Sequence, residues 1–147
     1  MTGIKVGDDA REILKKAGIE EFIGKKNVVL YFYPKDFTFG CTREAQDFRD
    51  AKAEFDAANT EIVGVSADSS ESHEKFAAKH KLTFKLVSDP KQELAAECGT
   101  KGMLGMEQRT TYLIDQTGKV RYVWPKVSVG GHAEDVLGKI RELGMGK

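Results

Sequence analysis

Apolar positions along this 147-residue chain gather into short runs separated by polar turns. The first clear run is "NVVLYFY", Asn27 to Tyr33, rich in β-branched and aromatic residues and stopped by Pro34. So short a run without polar alternation predicts a central strand buried on both faces. From Cys41 to Ala58 the spacing changes. Ala45, Phe48, Ala51, Phe55 and Ala58 recur at intervals of three and four, the stripe of one amphipathic helix. "EIVGVSAD" predicts a second buried strand, after which Asp68 or Ser69 caps a helix running to His80. "FKLVSDP" is a third strand closed by Asp89-Pro90, and "KQELAAEC" is a short helix stopped at Gly99. Thr110–Ile114 and Val120–Trp124 flank "DQTGK", where Gly118 suits a hairpin turn. Val136, Leu137, Ile140 and Leu143 share one face of a last helix, Ala133 to Leu143. Ahead of Gly24 the pattern offers only a short helix in "AREILKKAG".

The early alternation of strand and helix implies parallel strands with right-handed crossovers, and the late hairpin adds antiparallel pairing. The expected fold is α/β and thioredoxin-like: one domain over residues 1–147, with a mixed central sheet flanked by helices on both faces.

Composition narrows the function. Lys plus Arg equals Asp plus Glu, 23 of each. There is no net field to draw nucleic acid or an acidic membrane. No run approaches a membrane span, and "MTGIKVGDDAREIL" lacks an apolar signal core. Two cysteines far apart do not make a disulfide-stapled secreted fold. The expected compartment is the reducing cytoplasm, with import into an organelle left open. His73, His80 and His132 show no metal-ligand spacing, so no metal is expected. Each reads as a helix-surface or helix-start residue, with His132 fixing a helix entry rather than doing chemistry. Gly99, Gly102 and Gly105 are not followed by the Lys-Ser/Thr of a phosphate loop. Nothing points to haem or flavin, and no cofactor is expected.

The chemistry concentrates at Cys41. It lies past the C-terminal end of a central parallel strand, in the first turn of the next helix, where open α/β sheets place their sites. A helix N-terminus presents unpaired N–H groups and the positive end of a dipole, which favours thiolate over thiol. Gly40 leaves room for a small substrate. Two readings stand side by side on placement alone: a reactive thiolate, or the small buried hydrophobe that a free cysteine often is. Pro34, Thr38 and Cys41 add the pattern Pro-x-x-x-Thr-x-x-Cys, with a hydroxyl one tight turn before the sulfur and a proline shaping the loop.

That pattern resembles the motif of the peroxiredoxins, and the subfamily it is similar to is peroxiredoxin Q, or bacterioferritin comigratory protein. The likeness extends through "VVLYFYPKDFT", "GCTREAQDFRD", "IVGVSADSSESHEKFAAKHKLTFKLVSDP", "RTTYLIDQTGKVRYVWPKV" and "GHAEDVL", covering Asn27 to Leu143. The resemblance implies reduction of hydrogen peroxide or organic hydroperoxides. Cys41 becomes the nucleophile and passes through sulfenic acid. Thr38 and the Cys41 N–H stabilise the leaving oxygen, and Pro34 shields the sulfur. Arg109, in the family's arginine position before "TTYLID", favours the thiolate and binds the peroxide. Glu44 either orients Arg109 or is a solvated first-turn glutamate. The implied partners are a peroxide and a thiol reductant: thioredoxin, glutaredoxin or a small thiol. A monomer or weak dimer is expected.

The chain departs from the pattern twice. Phe39 stands where the family usually has proline, and reads either as an apolar wall near the sulfur or as an outward-packing ring. Gln46 stands where many members carry a resolving cysteine. A one-cysteine cycle served by an outside thiol follows, or Cys98 resolves, or Cys41 relays oxidation to a partner protein. Cys98 precedes a glycine-rich stretch that suits the movement a resolver needs, while the aromatic that the family tends to carry there suits a buried core position.

Overall fold

The computed structural model describes residues 4–34, 36, 38–99, 109–127 and 130–145. Among these, five strands form one mixed sheet: β1 Asn27–Phe32, β2 Thr60–Ser66, β3 Lys85–Ser88, β4 Thr110–Ile114 and β5 Val120–Trp124, in the order β3-β2-β1-β4-β5. β1 is the centre, parallel to β2 and antiparallel to β4, and all six of its residues are buried. Its unbroken apolar run is the signature of a strand with packing on both sides.

Alternation along β1 assigns the two faces. Val28, Leu30 and Phe32 face a core shared with α1 (Arg11–Lys16) and α5 (Glu93–Cys98). Val29, Tyr31 and Tyr33 face a second core shared with α2 (Phe39–Asp50), α3 (Lys52–Ala57), α4 (Ser70–His80) and α6 (His132–Glu142). Full burial of each aliphatic or Phe side chain in these cores contributes about 1.5–3 kcal/mol. Gly64 on β2 pairs with Tyr31 on β1. A Cβ there would lie 2.8 Å from the Tyr31 ring, so only glycine lets that ring lie flat and stack on Phe48 with centroids 4.9 Å apart.

The single helix expected from Cys41 to Ala58 is two helices. Ala51 adopts φ −94° and ψ 5°, and α3 restarts behind it. The apolar spacing survives the break because Phe48 and Phe55 still meet, with centroids 5.8 Å apart. Ser69 is the residue that caps α4, its hydroxyl accepting from the Ser72 N–H at 3.1 Å. Gly99 ends α5 in the left-handed region at φ 80°. The N-terminal segment docks on the hairpin: the Ala10 N–H donates to the Gly118 carbonyl at 2.7 Å, and Asp9 bridges Lys119. No helix among the described residues is long and apolar enough to cross a membrane.

Candidate active site

β1 delivers its chain to the loop at Pro34, and that loop delivers Thr38 as the N-cap of α2. Thr38 has extended backbone, φ −83° and ψ 156°, and its carbonyl accepts the first intrahelical bond from the Thr42 N–H at 2.9 Å. The amides of Phe39, Gly40 and Cys41 therefore precede the helical ladder and project from the positive end of α2. Cys41 is the third residue of that helix and is 1% exposed. Pro34 is half-buried and Thr38 exposed.

One turn further along α2, Glu44 is also 1% exposed. The solvated alternative for this residue is therefore wrong. Its spacing from Cys41 puts it on the inward stripe with Ala45 and Phe48. The Arg109 guanidinium, just ahead of β4, donates to Glu44 Oε1 at 3.1 Å. Burial pushes the Glu44 carboxyl up to about 7, against the opposing pull of Arg109. Among the described residues its second oxygen, Oε2, has no hydrogen-bond partner, and neither has the buried Tyr31 hydroxyl. Burial, and after it the nearby Glu44 carboxyl, raises the Tyr31 phenol well above its ordinary value. The thiol thus shares its face of the sheet with a buried carboxylate, a guanidinium and unsatisfied polar atoms.

Phe39 is 87% exposed. Of the two readings of Phe39 the apolar wall is absent, because the ring at the first position of α2 points outward to solvent. Cys98 stands apart from the site. It is 2% exposed, belongs to the core on the other face of the sheet, and its carbonyl accepts from the Tyr112 hydroxyl at 2.6 Å. The glycine-rich stretch 100–108 lies outside the described residues.

His132 meets the helix-start expectation, and His73 departs from the surface one. His132 does open α6, but its ring is buried between Phe48 and Trp124, with Nε2 2.9 Å from Thr111 Oγ1. Burial pushes it down to about 4, so it is neutral. His73 is no surface residue. It lies on the inward face of α4 with Phe76, and its Nδ1 is 2.7 Å from Asp36 Oδ2. Sequence reasoning missed both members of this pair. Asp36, Asp68 and His73 each offer one ligand atom, all within 4.8 Å of one another. Those groups already bond one another and Tyr33, Ser66 and Ser72, so a cation would have to displace a satisfied network.

These features define a class: a thioredoxin-like α/β domain with a buried thiol in the first turn of the helix that follows its central strand. The AhpC/TSA family model matches residues 8–123, and the chain belongs to that family, among the peroxiredoxins of the Bcp or Q kind. It is 42% identical to peroxiredoxin Bcp of Bacillus subtilis over 126 residues, 80% of either chain. A peroxiredoxin Q mutant from Xylella fastidiosa superposes with a TM-score of 0.89 at 31% identity, covering 98% of this chain and 99% of that one. The bacterioferritin comigratory protein of Xanthomonas campestris, described for its alkyl peroxide reduction activity, gives 0.86 at 34% identity, with 98% and 100% covered. The protein is accordingly a thiol-dependent peroxidase, of a class that acts on peroxides and draws electrons from thiol reductants such as thioredoxin.

Proposed function

We propose that Cys41 is the peroxidatic nucleophile and that the cycle uses this cysteine alone. Its thiolate attacks the terminal oxygen of a peroxide in line with the O–O bond. The S–O bond forms as the O–O bond breaks, and the leaving oxygen departs with a proton as water or an alcohol. Thr38 and the amides at the start of α2 face the developing negative charge. Arg109, held by Glu44, adds a guanidinium donor. An outside thiol then attacks the sulfenic acid, giving a mixed disulfide and water. A second thiol releases Cys41 and completes the two-electron reduction. The alkyl peroxide activity described for the Xanthomonas relative supports organic hydroperoxides as substrates beside hydrogen peroxide.

The observation that carries the one-cysteine reading is the separation of the two thiols. Cys41 and Cys98 belong to cores on opposite faces of the sheet, and Gln46 occupies the position five residues after Cys41. A disulfide needs Cα atoms within about 7 Å, and here the sheet lies between them. The test is peptide mapping after one equivalent of hydrogen peroxide, with a sulfenic-acid trap and no reductant. A trapped adduct on Cys41 with Cys98 still reduced is the expected result. A Cys41–Cys98 crosslink would overturn the one-cysteine cycle, and an unmodified Cys41 would overturn its role altogether.

A further inference from the structure

We propose that Cys41 and Glu44 share one proton, so that the buried face beside Arg109 carries a single negative charge, and that Glu44 gives this proton up when Cys41 is oxidised. The oxidation step rests on the reading of Cys41 given above, whereas the sharing does not.

Cys41 and Glu44 stand three residues apart on the inward stripe of α2, and each is 1% exposed. Side chains at that spacing are neighbours on a helix, with Cβ atoms about 5–6 Å apart. Among the described residues Arg109 is the only cation paired with Glu44, and it donates to Oε1. Oε2 has no partner among them. Glu44, Cys41 and Arg109 all lie within electrostatic reach of the Tyr31 hydroxyl on β1. One turn further along α2, Asp47 also acts on Glu44 and adds to the negative side. On α6, His132 is neutral and sits 2.9 Å from the Thr111 hydroxyl, so it brings no second cation.

One guanidinium does not balance both a thiolate and a carboxylate that are buried together. Ionising both leaves an uncompensated charge out of water, which the pair avoids by keeping a proton. Two acids so placed titrate as one unit. When Cys41 is the thiolate, the proton sits on Glu44 Oε2, the oxygen without a bond. Glu44 in that form still accepts from Arg109 through Oε1, so its hold on the guanidinium survives. Burial, which pushes the Glu44 carboxyl up to about 7, brings the exchange into the neutral range. The balance carries through oxidation. The thiolate bonds the terminal peroxide oxygen, which keeps its hydrogen, and the O–O electron pair leaves with the other oxygen. That oxygen takes up the proton Glu44 gives up and departs as water or an alcohol. Cys41 is then a neutral sulfenic acid, and Glu44 is a carboxylate paired with Arg109. The face holds one negative charge before the step and one after it.

The first test reads the thiolate without any peroxide. In a Cys98→Ser background, the ultraviolet absorbance of the Cys41 thiolate is followed from pH 5 to 8. Glu44→Gln copies the protonated carboxyl, because its carbonyl accepts from Arg109 and its amide carries the hydrogens. It should raise the thiolate-to-thiol ratio of Cys41 about tenfold on the acid side of the curve, the coupling at which two sites titrate jointly. A glutamate that does no more than orient Arg109 gives the opposite sign, since its loss frees the guanidinium and disfavours the thiolate. No change, or a fall, overturns the sharing. The reciprocal variant serves if Glu44→Gln does not fold. In Cys41→Ser, carbon NMR of the Glu44 carboxyl should show its proton released about tenfold more readily than in the wild type, because the coupling is mutual. An unmoved Glu44 midpoint overturns the proposal. The second test counts protons during oxidation by hydrogen peroxide, with an indicator dye in weak buffer above neutral pH. Glu44→Gln should take up about one proton more from the medium per Cys41 oxidised than the wild type does. Equal uptake overturns the donation from Glu44. Failure of wild-type Cys41 to oxidise, with the coupled titration intact, would remove the peroxidase role of Cys41 and leave the sharing in place.

Discussion

The two cysteines are nearly equal in burial, 1% and 2% exposed, yet they inhabit different chemistry. On the Cys41 face the sheet carries Glu44, Arg109, the Tyr31 hydroxyl and, between the β1–α2 loop and α4, the Asp36–His73 pair. Around Cys98 it carries Ile13, Leu14, Leu94, Ala95 and Phe32. On the proposed reading Cys41 works and Cys98 packs, and exposure does not separate the two. What separates them on that reading is whether the thiol shares its face of the sheet with donors and charges at a helix start, or with apolar side chains at a helix end.

The largest effect that could break this contrast is on catalysis. Cys41→Ser should abolish peroxide reduction, whereas Cys98→Ser should leave the first oxidation rate within about twofold, as expected for a residue remote from the reacting atoms. Stopped-flow oxidation of the two variants decides it, and residual activity near wild type in Cys41→Ser would reverse the assignment. Next comes stability. His73→Phe leaves the Asp36 carboxylate buried without its counter-charge, and should cost about 3–5 kcal/mol in urea unfolding. Leu14→Ala on the other face should cost about 2–5 kcal/mol through its cavity alone. The two losses are alike in size, but only the first should depend on pH.

That pH dependence has a definite sign. Burial opposes the charge on His73, but the Asp36 carboxylate and Val87 carbonyl more than reverse this and hold it above its ordinary 6.5. Its contribution is complete below 6.5 and is lost as pH rises through the higher folded value. Asp36, which burial would raise, is held below 3.8 by His73 and Tyr33, so its contribution is lost only as pH falls through that lower value. The charged and titratable groups facing the pair are Asp68 and Tyr33. Glu44 adds a separate limb. Its carboxyl is raised from 4.5 to about 7, so the folded state keeps a proton the unfolded state has released, and stability falls as pH climbs between those values. Urea titrations from pH 5 to 9 should show Glu44→Gln flattening the acidic limb and His73→Phe the alkaline one. Unchanged limbs would mean that neither group carries the charge assigned to it. The smallest expected effect is at Phe39, where Phe39→Ala should shift stability by no more than about 0.5 kcal/mol, as for an exposed position. A larger loss would show that the ring packs after all.

Much of this was legible from local pattern. The apolar run of β1, the Gly118 turn and the stripes of α2 and α6 each follow from neighbours a few residues apart. The mixed character of the sheet follows from the alternation of elements and the late hairpin, whereas its strand order came only with the structure. Pro34, Thr38 and Cys41 were visible because one short stretch holds all three. Arg109 needed a family resemblance, since its partner Glu44 is 65 residues away. The Asp36–His73 pair spans 37 residues and joins a loop to a helix, and neither residue carries a spacing that announces burial. An aspartate after Lys35 in a turn reads as solvated until the topology lays α4 across it. The direction of Phe39 was likewise beyond reach, because the first residue of a helix can face inward or outward with the same neighbours in sequence. The break at Ala51 escaped notice because the apolar stripe continues through it.

The strict alternation along β1 has a consequence for how such a chain can change over generations. Val28, Leu30 and Phe32 serve one core, and Val29, Tyr31 and Tyr33 serve the other. Inserting or deleting one residue within Asn27–Phe32 would swap every downstream side chain to the wrong face. It would send the tyrosines that border the thiol into the apolar layer beneath α1. Length variation should therefore accumulate before Asn27 or in the Asp115–Lys119 turn, while the strand itself drifts only by substitution. An alignment of natural variants with an indel inside β1 would contradict this.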